Sequence, residues 1–449
     1  MIRFADASLD MLIHREGHAC ACGRTHKAVI DYLSIRPGAV EDIPQALEAM
    51  GARRPFVVCD VNTKAAAWTQ AERVLRGADI PYTLFCFPMA HVEPNEEAMG
   101  SLIMAFDPAC DCVMGIGSGV VNDCCKALAH AVGRKMMIVG TAPSMDGYAS
   151  NCSAMIREGV KCTLTNAAPD ALVCDVDIIR EAPMRMIHAG LGDMLAKYVA
   201  LCEWRLASLI TGEYYCENIA QLMRAALGRI FDSAPRLAER DPEAVQATVE
   251  GLVLSGIAMS YAGISRPASG FEHYFSHMWE MMALERGQAF ELHGIQVGVG
   301  TLQALRVYDQ IRTLKPDREK ALAFIRDFDS EAWENELRRI LGKTAEAVIA
   351  LEHTSFHNND LKEHAVRLER ILANWDEILR IMDEELPKTE TIAALMRSLH
   401  MAMEPEDIGF TRQDTRDAFH AARDTRKKYL TSSMLWDLGV LYEMEPGRD

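Results

Sequence analysis

Two hydrophobic periods divide this 449-residue chain at about residue 183, and that change constrains its fold more than any other feature. Before it, short apolar runs alternate with helix-like stretches. Arg54 to Asp60 reads as a buried strand, Thr63 to Ala78 as a helix, YTLFCF as a strand, Glu96 to Phe106 as a helix, and CDCVMGIGSG as a strand and turn. The series continues with a helix over Asn122 to Val132, a strand and loop in KMMIVGTAP, and a further strand in ALVCDVDIIREAP before Pro183. This rhythm implies a parallel sheet, because parallel neighbours need a crossover helix between them. Beyond residue 183 apolar positions recur at three and four residues and β-branched runs are scarce, so the remainder is expected to be helical. Ser330 to Leu341 and Glu363 to Glu385 read as solvated helices of mixed charge. The expected organisation is an α/β domain over 1–182 and an all-helical domain over 183–449. With 49% hydrophobic residues, the chain can bury two cores.

The net charge of −17 opposes partners that need a basic face, namely nucleic acid and anionic membrane surfaces. The start of the chain has no apolar h-region, and nowhere is there an apolar run of about 18 residues. A cytoplasmic protein acting on small molecules, with no membrane insertion, is the expectation. The 13 cysteines are scattered and odd in number, which favours reduced thiols. In HACACGRTH, four possible ligands, His18, Cys20, Cys22 and His26, fall within nine residues. The segment reads either as a second metal site, with Cys20 and Cys22 on one face of a strand, or as a short strand and turn.

Chemistry concentrates in three places. In Gly115-x-Gly117-Ser118-Gly119 the missing Cβ atoms permit close backbone approach, and a helix starting near Val120 aims N–H groups at an anion such as a diphosphate. The spacing is not G-x-G-x-x-G, so an ordinary loop is the competing reading. The segment Gly140 to Ser150 carries Thr141, Ser144, Asp146 and Ser150 beyond the next strand, where open α/β sheets bind ligands; a cluster of caps and turns is the alternative. Asp60, ending an early strand, suits an adenosine ribose and would repel a 2′-phosphate, which favours NAD over NADP. Farther on, Asp193 and Lys197 lie four apart, as do His273 and His277, and His293 opens the next helical segment. One carboxylate with two or three imidazoles suits a borderline divalent ion with an open coordination position. An ordinary ion pair and satisfied buried histidines compete with that reading. His188, His353 and His357 lack such company.

On GIGSGVVND, GTAPSMDGYAS, GLGDMLAK, SRPASGFEHYFSH and HGIQVGVGT, the sequence resembles the iron-containing alcohol dehydrogenase and dehydroquinate synthase superfamily, most closely its sn-glycerol-1-phosphate dehydrogenase branch. The resemblance implies a Rossmann-like dinucleotide-binding α/β domain followed by an all-α, dehydroquinate synthase-like domain. It implies metal ligation by Asp193, His273 and His293, with His277 nearby and Lys197 beside Asp193. It also implies dinucleotide phosphates over Gly117, Ser118 and Gly119, a cofactor cleft lined by Asp123, Thr141, Ser144 and Ser150, and a substrate-facing Asp146. Arg266, in the SRPASG run, is a candidate for the substrate phosphate because a guanidinium binds phosphate bidentately; a helix-capping or surface arginine is the alternative. Ile295 stands where the family commonly has Glu. The implied enzyme interconverts a phosphorylated ketone and triol, dihydroxyacetone phosphate and sn-glycerol 1-phosphate, with NAD or NADP and one divalent metal, zinc or nickel, as a homodimer. A polyol dehydrogenase acting on glycerol, a carbon–oxygen lyase and a non-catalytic metal-stabilised protein are the competing functions.

Overall fold

The computed structural model describes residues 2–447. Among the described residues ten strands occur, all before residue 176: β1 (His18–Ala19), β2 (Thr25–His26), β3 (Tyr32–Arg36), β4 (Pro55–Asp60), β5 (Thr83–Phe87), β6 (Cys112–Gly117), β7 (Lys135–Gly140), β8 (Cys152–Arg157), β9 (Val160–Thr165) and β10 (Ala171–Asp175). Six form one parallel sheet in the order β3-β10-β7-β6-β4-β5, while β1-β2 and β8-β9 are antiparallel hairpins. The four interior strands are almost wholly buried, whereas the edge strands β3 and β5 are only half-buried along much of their length. Strands covered on both faces must be apolar at consecutive positions, which is why β4, β6, β7 and β10 stand out as continuous apolar runs.

The chain runs from β4 outward to the edge strand β5, then returns past β4 to β6 and continues the other way through β7 and β10. The reversal falls between the adjacent strands β4 and β6. Crevices for ligands in open α/β sheets form beyond the carboxyl ends of strands at such a point. Here those ends are Asp60 and Gly117.

Backbone contacts group Met1–Met194 with Cys216–Pro267 in one unit and Leu195–Tyr215 with Ala268–Asp449 in another. The sheet unit therefore includes helices drawn from the helical half of the sequence. The helices that matter below are α1 (Gly119–Val132), α2 (Met184–Leu195), α3 (Lys197–Thr211), α4 (Glu217–Ser233), α5 (Pro242–Ala262), α6 (Phe271–Glu285) and α7 (His293–Ile311). No strand is formed beyond Asp175 among the described residues, as the 3.6-residue spacing predicts. Nor does any described helix have the length and apolarity to cross a membrane.

Three local expectations are corrected. The run ALVCDVDIIREAP is a strand only to Asp175, whose Oδ1 accepts from the Asp177 N–H at 3.0 Å and caps a short helix, Val176–Ile179. Asp193 and Lys197 do not share one helix, since α2 ends at Leu195 and α3 begins at Lys197. Cys20 and Cys22 are not alternate residues of a strand; both lie in the turn joining β1 to β2.

Candidate active site

In the sheet unit, the turn from β6 into α1 is dictated by its glycines. A Cβ on Gly117 would lie 2.6 Å from the Val121 Cβ, and one on Gly115 2.9 Å from the Ile138 side chain. The first permits the strand to turn directly into the helix; the second lets α1 and the neighbouring strand pack closely. Ser118 occupies the N-cap, and its side chain makes no capping hydrogen bond. The first N–H groups of a 14-residue helix thus retain capacity for an anion beyond the carboxyl end of the sheet. This arrangement fits a dinucleotide diphosphate. Asp123, one turn farther along α1, accepts from the Ala154 N–H at 3.2 Å and so also anchors the β8-β9 hairpin. Asp60 ends β4, but its Oδ1 already accepts from the N–H groups of Asn62 and Thr63, both at 2.8 Å, in a capping box.

The loop after β7 carries Thr141, Ser144, Asp146 and Ser150. Thr141, Ser144 and Ser150 are buried, and the Thr141 N–H donates to the Gly117 carbonyl at 3.1 Å, tying the two carboxyl-edge loops together. Lys126 of α1, itself buried, donates to Gly147 O at 2.5 Å, Cys152 O at 3.0 Å and Ser150 Oγ at 3.2 Å. Burial lowers the pKa of this ammonium below the ordinary lysine range. Two helix glycines let neighbouring backbones approach the loop. A Cβ on Gly190 of α2 would fall 1.7 Å from the Pro143 carbonyl oxygen, and one on Gly256 of α5 would fall 2.8 Å from the Ala149 Cβ. This packing brings Asp193, fully buried on α2, to the loop, where its Oδ2 accepts from the Asp146 N–H at 2.9 Å. The Ser255 hydroxyl in turn donates to Asp146 Oδ2 at 2.8 Å. Arg266 is buried in the same unit, which removes the surface-arginine alternative.

In the helical unit, His273 and His277 lie on α6 and His293 opens α7. Their ring centroids are 5.4 Å apart for His273 and His293, 5.8 Å for His277 and His293, and 6.2 Å for His273 and His277. A close crossing of α6 and α7 makes this possible. At Gly300 a Cβ would stand 2.5 Å from the Glu272 carbonyl oxygen, so this last glycine of HGIQVGVG serves helix contact.

The His273 Nδ1 lies 2.7 Å from Glu272 Oε1, which also accepts from the Gly270 N–H at 2.8 Å. With Nδ1–H donating to that carboxylate, Nε2 is the ring atom that carries the lone pair, the usual arrangement of a ligating histidine. His293 Nδ1 is likewise 3.2 Å from Ser276 Oγ and 3.5 Å from Glu280 Oε1. Glu280 is buried, its Oε2 stands 3.9 Å from His277 Nδ1, and His277, Glu280 and His293 each offer a ligand atom within 4.8 Å of the others. The donor set fits a divalent ion. Lys197 is fully buried at the start of α3.

Sequence reasoning missed Lys126, Glu272 and Glu280. The last was legible, since it lies three residues beyond His277 and seven beyond His273, on their helix face. Ile295, in the first turn of α7, is buried, while Glu280 supplies a carboxylate beside His293.

A family profile described as iron-containing alcohol dehydrogenase matches residues 34–183. The chain is 32% identical over 298 residues to a glycerol-1-phosphate dehydrogenase [NAD(P)+] of Halalkalibacterium halodurans, covering 66% of this chain and 75% of that protein. A protein of the same name from Geobacillus stearothermophilus is 27% identical over 432 residues, covering 95% and 96% of the two chains. Among solved structures, an alcohol dehydrogenase from Oenococcus oeni matches with a TM-score of 0.59 at 13% identity, over 92% of this chain and 99% of that one, a likeness of fold. With the motifs, the sheet topology and these relatives in agreement, the chain belongs to the glycerol-1-phosphate dehydrogenase branch of the iron-containing alcohol dehydrogenase family.

Proposed function

We propose that this protein interconverts dihydroxyacetone phosphate and sn-glycerol 1-phosphate with NAD(P)H and a divalent metal. The observation that carries the reading is the likeness to glycerol-1-phosphate dehydrogenases over three quarters of a relative's length. Asp193, His273 and His293 are the proposed ligands. When bound, the metal supplies Lewis acidity at the ketone oxygen and the nicotinamide supplies hydride. Glu272 holds His273 in the tautomer that leaves Nε2 as donor, and the Asp146 N–H orients the Asp193 carboxylate. The Asp146 carboxylate, steadied by Ser255, accepts a hydrogen bond from a substrate hydroxyl. His277 serves as proton source for the developing alkoxide, and Lys197 compensates the buried carboxylate charge of the site. Arg266 takes the substrate phosphate in a bidentate pair.

The N–H groups from Ser118 onward, with Gly117 and Gly119, hold the cofactor diphosphate; Thr141, Ser144, Asp123 and Ser150 shape its cleft. Asp60 faces the adenosine ribose and favours NAD, although its capping duty leaves one oxygen for that role. Zinc or nickel suits the ligand set, and a homodimer in the cytoplasm is the proposed state. The test is Arg266→Met assayed with dihydroxyacetone phosphate and with dihydroxyacetone. The reading expects KM to rise at least tenfold for the phosphorylated ketone alone. Wild-type preference for dihydroxyacetone would instead identify a polyol dehydrogenase.

A further inference from the structure

The segment His18-Ala-Cys20-Ala-Cys22-Gly-Arg-Thr-His26 holds a second cluster of ligand types. His18 does not belong to it, because its Nε2 lies 2.7 Å from the Met11 carbonyl. The fourth member comes from about 190 residues farther on: Cys216, the N-cap residue of α4, approaches the β1-β2 turn in the same unit. One donor atom from each of Cys20, Cys22, His26 and Cys216 lies within 4.8 Å of all the others.

The spacings fit coordination to one ion. Cys20 Sγ and Cys216 Sγ are 3.7 Å apart, His26 Nε2 and Cys216 Sγ 3.5 Å, and Cys22 Sγ and His26 Nε2 3.3 Å. A tetrahedron with zinc–sulfur bonds of about 2.3 Å and a zinc–nitrogen bond of about 2.05 Å has edges of about 3.8 Å between sulfurs and about 3.6 Å between sulfur and nitrogen. A disulfide would need its sulfurs about 2.05 Å apart.

The surroundings agree. His26 is fully buried, and its Nδ1 lies 2.8 Å from the Tyr261 carbonyl. Only a protonated Nδ1 can make that bond, so the Nε2 aimed at the sulfurs carries the lone pair that a metal takes. The Asn218 amide reaches Cys20 Sγ at 3.9 Å, and Gly23, at φ +83°, closes the turn that presents Cys20 and Cys22. Four protein donors leave no position for substrate, the composition of a structural rather than a catalytic centre.

We propose that Cys20, Cys22, His26 and Cys216 form a closed structural site for one zinc ion, separate from the ligands proposed for catalysis. The ion ties the N-terminal segment to α4 and, through His26, to the end of α5, closing a chain loop of nearly 200 residues.

The test uses the full-length chain purified without a polyhistidine tag. Its zinc content is measured before and after the thiols are blocked with an organomercurial, with a colorimetric indicator reporting release. The proposal expects one zinc per chain that resists mild chelation and leaves as the thiols react. Cys216→Ser and Cys20→Ser should lose that zinc, whereas His273→Ala should retain it. Substitution with cobalt should add a near-ultraviolet thiolate-to-metal band, present in His273→Ala and absent from Cys216→Ser, because among the proposed ligands only this cluster contains sulfur. Zinc-free wild-type protein after growth in zinc-replete medium, or a Cys20–Cys216 disulfide in freshly purified protein, would overturn the proposal. The wild-type release experiment decides the matter even if the serine variants fail to fold.

Discussion

Gly190→Ala should damage both the sheet unit and the chemistry placed on Asp193, and the cause is one contact. The added Cβ would stand 1.7 Å from the Pro143 carbonyl oxygen and 2.8 Å from its carbon. These are backbone atoms and cannot swing aside as a flexible side chain would. To reach 3.0 Å, below which real Cβ atoms are essentially never found, α2 and the loop must part by about 1.3 Å. Overpacking strain of this kind costs about 3 kcal/mol, the upper end of the usual range. For a unit of this size each kcal/mol lowers Tm by roughly 2–4 °C, so a fall of about 6–12 °C is expected. Asp193 sits one helical turn from Gly190, and its 2.9 Å bond to the Asp146 N–H spans the surfaces being pushed apart. A misplacement of about 1 Å commonly costs on the order of 100-fold in rate.

The matched control is Gly228→Ala on an exposed face of α4, where an added Cβ meets nothing within 4 Å. That change should stabilise by about 0.5–1 kcal/mol. Thermal melts, metal content and NADH oxidation are measured on both variants. If Gly190→Ala matches wild type in melting and turnover, the notch between α2 and the loop does not position Asp193 and the reasoning fails.

Lys126→Met removes a buried ammonium that donates to Gly147 O, Cys152 O and Ser150 Oγ and leaves the two carbonyls only neutral donors from Asn122 and Ser150, so it should cost about 2–3 kcal/mol in denaturant titrations and expose the 147–152 segment to protease; unchanged stability would deny it an anchoring role. In the helical unit, burial pulls the His420 imidazole down to about 4. The folded state thus binds fewer protons than the unfolded one between about pH 4 and 6.5, and the contribution is present above 6.5 and lost as pH falls through that window. Asp424, pushed up to about 6 by burial, has the opposite dependence, so the comparison is wild type against His420→Gln. The wild type should lose stability relative to the variant on going from pH 7 to 4, and parallel curves would contradict the assignment. Glu272→Gln retains shape but weakens the acceptor for His273 Nδ1, and metal affinity measured by competition with a chelator should fall about 10- to 100-fold. An unchanged affinity would separate Glu272 from the ligand set.

The legible parts of this fold are those where one physical demand dominates. Interior strands such as β4 and β6 are buried on both faces and announce themselves as apolar runs, and Gly117 announces a turn that tolerates no Cβ. The edge strand β3, YLSIR, and the β8-β9 hairpin are half polar and lack that signal. The break between α2 and α3 falls at Ala196, the residue type that best favours helix, so local propensity points the wrong way there. At the candidate site, His273, His277 and His293 declare themselves by spacing. Asp193's contact with the Asp146 loop depends on Gly190 meeting Pro143, a tertiary fit that no local pattern records. The pairing of Cys216 with the HACACGRTH turn is still less accessible, since nearly 200 residues separate the partners.

The most direct test of the central claim follows NADH oxidation by metal-loaded protein with dihydroxyacetone phosphate, repeated after chelation and with Asp193→Ala. The account predicts rapid oxidation that strongly favours the phosphorylated ketone over dihydroxyacetone, is abolished by chelation, is restored by added zinc or nickel, and is lost in the variant. Oxidation that survives both chelation and the loss of Asp193 would contradict it.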